Sequence, residues 1–120
     1  MIKVLIVDDN STLRGVVREF LELADYSYVV SEAIDGLEGV QLARELDPDV
    51  VLMDICMPRM DGLEATKRIK NLGLTSKIII CTSSDSNQMM QEAQLAGARF
   101  IINKPFDLVT LATHIRRLHS

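Results

Sequence analysis

Tryptophan is absent from the 120 residues, and cysteine occurs only twice. Cys56 and Cys81 form neither a disulfide framework nor the CxxC spacing of a zinc site, so each reads as a small buried hydrophobe. There is also no apolar run near the ~20 residues needed to cross a bilayer, and no signal-peptide pattern at the N-terminus, so a cytoplasmic location is expected. Basic stripes and lysine clusters are missing too: the formal net charge is −4, and Arg116 and Arg117 are an isolated pair. Non-specific binding to nucleic acid or to an anionic membrane is therefore not expected. With three prolines, six glycines and no low-complexity linker, residues 1–120 read as one domain without a separate output domain. What is present, 48% hydrophobic and 25% charged residues, is enough to build an ordinary core without disulfides or structural metal.

The chain is organised around Asp54-Ile55-Cys56-Met57-Pro58-Arg59-Met60-Asp61-Gly62, entered through Val50-Val51-Leu52-Met53. Four consecutive apolar residues predict a central strand covered on both faces, and Asp54 then stands at its C-terminal end. In open α/β sheets that rim carries the reactive sites, which makes an isolated carboxylate there a candidate nucleophile or metal ligand. Other apolar runs end in the same way. Ile2–Val7 runs into Asp8-Asp9-Asn10, where a nucleotide-binding turn would need glycine; two carboxylates repel phosphate but can hold a divalent cation. One residue of Asp8 to Ser11 is expected to cap the following helix. Ile78-Ile79-Ile80-Cys81 delivers Thr82-Ser83-Ser84, and Arg99–Asn103 delivers Lys104-Pro105-Phe106. Tyr28–Ala33 reads as an edge strand ended by Gly36.

Helical spacing fills the gaps: Leu13, Val16, Val17, Phe20, Leu21 and Ala24; Leu37, Val40, Ala43 and Leu46, stopping before Pro48; Leu63, Thr66, Ile69 and Leu72, stopping at Gly73; Met89, Ala93 and Ala96; and Leu108, Leu111, Ala112, Ile115 and Leu118. Asp25-Tyr26-Ser27 reads as a short loop. Five βα repeats imply a doubly wound parallel sheet between helices, with right-handed crossovers. Every strand end then lies on one rim, gathering Asp8, Asp9, Asp54, Thr82 and Lys104 around one cleft. Three adjacent carboxylates need a divalent cation and a lysine counter-charge. Oxygen-only ligands favour Mg²⁺, and the chemistry implied is phosphoryl transfer to a carboxylate.

These marks (Asp8-Asp9, the D-x-x-M-P-x-x-D-G run from Asp54 to Gly62, Thr82-Ser83, Gly97-Ala98, and Lys104-Pro105-Phe106) resemble a two-component response regulator receiver domain of the single-domain chemotaxis type, over the whole chain. The resemblance implies a flavodoxin-like sheet of order 2-1-3-4-5 with five helices in a three-layer sandwich. It implies Asp54 as phosphoacceptor, with Mg²⁺ (Mn²⁺ as a substitute) held by Asp8 or Asp9 or both, by Asp54 and by the backbone carbonyl of Cys56. Thr82 and Lys104 would hold phosphoryl oxygens, Ser83 and Ile101 would take part in the switch, and Lys104-Pro105 would be a cis peptide. The implied partners are a histidine kinase or phosphotransfer protein and a downstream protein that reads the face of the fourth helix, fifth strand and fifth helix. Such a domain is a monomeric signalling element rather than an enzyme, although it assists its own phosphorylation and dephosphorylation.

The sequence departs from the family at Ile101, where an aromatic ring is common, and carries Cys56 and Ser84 where longer polar side chains can orient water. Two other classes share parts of this residue set. An aspartyl-phosphate hydrolase of the haloacid-dehalogenase type would place its nucleophile in a D-x-D after the first strand, with a cap domain. A phosphorylation-independent adaptor would not need a complete pocket. His114 and His119 read as solvent-facing, and Met53, Met57 and Met60 as packing residues.

Overall fold

The computed structural model describes residues 1–24 and 27–119. Asp25 and Tyr26 of the expected loop lie outside the described residues. Strands and helices alternate: β1 Ile2–Val7, α1 Ser11–Glu22, β2 Tyr28–Ala33, α2 Gly36–Leu46, β3 Val50–Asp54, α3 Gly62–Asn71, β4 Lys77–Thr82, α4 Asn87–Ala96, β5 Phe100–Asn103 and α5 Leu108–His119. The five strands form one sheet in the order β2-β1-β3-β4-β5, and every pairing is parallel. Asp54 pairs with Cys81, and Thr82 pairs with Asn103, so the reactive ends stand level.

The apolar runs explain this order. All five residues of β3 are buried, as expected for a strand with neighbours on both sides and helices on both faces. One core cluster holds Val4, Ile6, Leu52, Ile79 and Ile102 against Val17, Leu21, Leu111 and Ile115 of α1 and α5. The other holds Leu5, Val7, Val51, Met53, Ile78 and Ile80 against Val40, Ala43, Ala65, Ile69 and Ala93 of α2, α3 and α4. Alternation within β5 sends Phe100 to the first cluster and Ile101 to the second. Each fully buried branched side chain contributes about 1.5–3 kcal/mol, so the sheet is a rigid base for the groups on its rim.

Helix starts are fixed by side-chain caps. Asn10 caps α1, Asp35 caps α2, Asp61 caps α3 and Ser86 caps α4, each accepting from a backbone N–H three residues on. Asp47 and Gly97 close α2 and α4 in left-handed conformation, and Gly73 turns the chain with φ +76°.

Several expectations need correction. Gly36 does not terminate β2, which ends at Ala33; it is the first residue of α2, buried where a Cβ would come within 2.2 Å of the Met60 carbonyl oxygen. Val16 is exposed rather than in the core stripe, because helical rotation leaves Val17 and Leu21 facing the sheet. Cys56 is exposed, since the strand has ended before it; Cys81, still inside β4, is buried. His114 is not a plain surface residue: its ring packs on Phe100 at 4.7 Å between centroids, and its Nδ1 is buried. His119 is exposed as expected, 3.9 Å from an Asp49 oxygen. Met53 is core, and Met57 and Met60 pack on the same cluster. Among the described residues, no helix is long and apolar enough to cross a membrane.

Candidate functional site

The carboxyl rim of the sheet collects its groups from three strands. Asp8 follows β1, Asp54 ends β3 and Lys104 follows β5. The Lys104 ammonium donates to Asp8 Oδ2 at 2.9 Å and to Asp54 Oδ1 at 3.1 Å. Asp9 is exposed beside them, and one carboxylate oxygen from each of Asp8, Asp9 and Asp54 lies within 4.8 Å of the others. The lysine thus joins residues 96 and 50 positions away in the chain.

Two close contacts fix this geometry. Gly62 donates its N–H to the Ile55 carbonyl at 2.8 Å, closing the β3–α3 turn. A Cβ on Gly62 would lie 1.9 Å from the Asp54 carbonyl oxygen, so only glycine admits this approach of helix to strand end. On the other side, the Lys104 N–H donates to the Thr82 carbonyl at 2.7 Å, joining β5 to β4 next to the pocket. The Lys104–Pro105 peptide is cis.

Electrostatics follow from burial. Asp8 and Asp54 are buried and Lys104 is half-buried. Burial and the neighbouring Asp8 charge push the Asp54 carboxyl above the usual carboxylate range, against the opposing pull of Lys104. Burial works against the Lys104 ammonium, but hydrogen bonds to Asp8 and Asp54 outweigh it and hold its pKa above the ordinary lysine value. Burial pushes the Cys81 thiol, beside Asp54 in the sheet, up to about 12, which makes it chemically inert. The pocket therefore has one strong cation facing three acids, an oxygen-rich donor set that suits a hard divalent cation.

The remaining expected residues are nearby but not all turned to the acids. Thr82 is buried, and its Oγ1 accepts from the Ser84 N–H at 3.1 Å, so the hydroxyl is engaged within its own loop. Ser83 is exposed and lines a groove of about 450 Å³ with Asn10, Leu13, Val16, Lys104 and Phe106. Ser84 is tied to the end of β5, its carbonyl accepting from Asn103 Nδ2 at 3.0 Å. Cys56 lies in the exposed turn after β3, and Ile101 is half-buried against the α2–α4 side of the core.

Sequence reading missed the supports around the site. Arg14 donates to the Asp8 carbonyl at 2.6 Å and to Glu32 at 2.9 Å, while Arg18 donates to Glu32 at 2.6 Å, fastening α1 to the ends of β1 and β2. These bonds, led by the one from Arg18, hold the Glu32 carboxyl below its usual range. Asp35 pairs with Arg59 at 2.6 Å across 24 residues. The i, i+4 spacing of Arg14 and Arg18 was a visible signal; their common partner on an edge strand was not.

This geometry defines a class first: a flavodoxin-like, doubly wound protein with an acidic, lysine-bridged pocket on the carboxyl rim. The model of the response regulator receiver domain matches residues 4–116. The chain is 44% identical over 104 residues to a chemotaxis protein CheY of Halobacterium salinarum, covering 87% of this chain and 85% of that one. It is 42% identical over 104 residues to a chemotaxis protein CheY of Thermotoga maritima, covering 87% and 86%. Among solved structures, the response regulator domain of Thermotoga maritima CheB superposes with a TM-score of 0.91 at 34% identity, over 99% of this chain and 96% of that one. The chain belongs to the response regulator receiver domain family of two-component signalling systems.

Proposed function

We propose that Asp54 is the phosphoacceptor of this receiver domain, taking a phosphoryl group from the phosphohistidine of a kinase or phosphotransfer protein. The observation that carries this reading is the Lys104 ammonium bridging Asp8 and Asp54 at 2.9 and 3.1 Å on the rim. A nucleophilic carboxylate needs its charge held in place without being protonated, and a lysine at that distance can transfer one of its contacts to an incoming phosphoryl oxygen. An Asp54 oxygen bonds to phosphorus as the phosphorus–nitrogen bond breaks, and the imidazole leaves with the electron pair. Asp8, Asp9, Asp54 and the Cys56 carbonyl would hold Mg²⁺, or Mn²⁺ in its place, which when bound neutralises charge on the phosphoryl oxygens. Thr82 would exchange its loop contact for a phosphoryl oxygen, drawing residues 82–86 inward with Ser83. That movement would shift an existing equilibrium of the face formed by α4, β5 and α5, with Ile101 beneath it. A partner protein would read that face.

The same reading takes residues 1–120 as one monomeric, cytoplasmic receiver unit that assists its own phosphorylation and dephosphorylation without turning over a substrate. The test is incubation with acetyl phosphate and Mg²⁺. One alkali-labile phosphoryl group per chain is expected, absent in Asp54→Ala and in EDTA. Continuous release of phosphate without a stable adduct would point to a hydrolase, and no incorporation at all to an adaptor; either would overturn the proposal.

A further inference from the structure

The turn between β3 and α3 is held from outside the pocket by an ion pair that the phosphoryl chemistry does not use. Asp35 is 2% exposed, and its two oxygens have separate tasks. Oδ1 accepts from the Glu38 N–H at 2.9 Å as the cap of α2, and Oδ2 accepts from Arg59 Nε at 2.6 Å. A buried carboxylate needs such a partner; Arg59 holds it below its usual pKa range. Arg59 itself is in the left-handed region, φ +66°, a conformation unfavourable for a residue with a Cβ. Glycine would be more comfortable there, so the backbone conformation does not explain the arginine, whereas the ion pair does. One residue further, Gly36 brings α2 so close that a Cβ would meet the Met60 carbonyl oxygen at 2.2 Å. The turn is thus bonded to the start of α2 at Arg59 and lies close against it at Met60. At its base it is closed by the Gly62 N–H on the Ile55 carbonyl at 2.8 Å. Cys56 lies inside this clamped stretch, exposed to solvent.

We propose that the Asp35–Arg59 pair is a positioning device for the divalent cation: by fixing the β3–α3 turn to α2 it presets the backbone at Cys56, whose carbonyl would join Asp8 and Asp54 as a ligand. The inference rests on the proposed metal-dependent reading of the pocket and adds residues to it. Arg59 and Asp35 touch neither metal nor phosphoryl group. They act by removing the cost of ordering the turn when the cation binds, as outer partners of metal ligands do elsewhere.

Two substitutions separate this role from simple folding support. Asp35→Asn keeps a good helix cap but loses the charge, and Arg59→Gly loses the pair while relieving the positive φ. Mg²⁺ and Mn²⁺ affinities are measured by calorimetry on the full chain, alongside amide hydrogen exchange of residues 56–60 without metal. Wild type should bind Mg²⁺; if it does not, the metal reading of the pocket itself fails. Given wild-type binding, both variants should bind about three- to tenfold more weakly and exchange faster at residues 56–60, with the double variant no worse than either single one. Arg59→Lys should recover part of the affinity. Saturating Mg²⁺ should restore the acetyl phosphate labelling rate. Unchanged metal affinity in both single variants, or a labelling defect that excess Mg²⁺ does not correct, would overturn the proposal.

Discussion

Replacing Lys104 with methionine keeps a long apolar stem and deletes the ammonium that separates two buried carboxylates. Two charge-assisted hydrogen bonds are lost, at 2.9 Å to Asp8 and 3.1 Å to Asp54. A hydrogen bond to a charged group contributes about 1.5–3 kcal/mol, but recovering the ammonium's desolvation offsets part of the sum. The Lys104 side chain is 21% exposed, so water also screens the pair. A loss of about 2–3 kcal/mol in folding stability is expected for Lys104→Met, measured by urea unfolding at pH 7, low salt and with EDTA. In an Asp54→Asn background only Asp8 needs the cation, and the same replacement should cost about 1 kcal/mol. The coupling of about 1–2 kcal/mol exceeds the ~0.3–0.5 kcal/mol expected of independent sites. The deficit of Lys104→Met should also shrink from pH 7 towards pH 4, because protonating a carboxylate then relieves the repulsion. Equal costs in the two backgrounds, or a deficit independent of pH, would refute the bridging role.

Asp54 is held above the usual carboxylate range by burial and by Asp8. Its protonation therefore contributes stability that is complete below the unfolded-state value and lost as pH rises through the folded-state value. Asp54→Asn should accordingly be more stable than wild type at pH 7–8 without metal, with the gain vanishing in acid; calorimetric unfolding across pH checks this. Gly62→Ala would drive a Cβ into the Asp54 carbonyl, and a loss above about 2 kcal/mol together with loss of phosphorylation is expected. Gly15→Ala, on the open side of α1 with nothing within 4 Å, should instead stabilise by about 0.5–1 kcal/mol in the same unfolding assay. Ile101 has no ring to swing between rotamers, and its stiff χ1 already packs on the core. Beryllofluoride should therefore move amide shifts mainly in residues 82–86. Large shifts throughout α4, comparable with those of Ile101→Tyr, would contradict this.

The central place of β3 and the rim were legible because β3 is a continuous apolar run, buried at all five residues, and each polar switch comes directly after such a run, whereas the strand order came from the family resemblance. Once the strands are parallel, Asp8, Asp54 and Lys104 must meet, however distant in sequence. The groups that steady them were not legible. Arg59 lies in a turn, and its link to Asp35 depends on how closely α2 approaches that turn, a distance set by Gly36 and the Met60 backbone. Val16 and Val17 have equal hydropathic standing, and only the rotation of α1 about its axis decides that Val17 is covered. His114 looked like a surface histidine because nothing in its helix shows that Phe100, on a neighbouring strand, lies under it. The Thr82 hydroxyl was expected in the pocket, and its engagement with the Ser84 N–H reflects a local loop bond that competes with any longer reach.

The most direct test of the phosphoacceptor assignment is chemical trapping. The protein is phosphorylated with acetyl phosphate and Mg²⁺ and then treated with borohydride, which reduces an aspartyl phosphate to homoserine, and the peptides are sequenced by mass spectrometry. Homoserine at position 54 alone is the expected result; homoserine at Asp8 or Asp9, or labelled protein in which residue 54 remains aspartate, would contradict it.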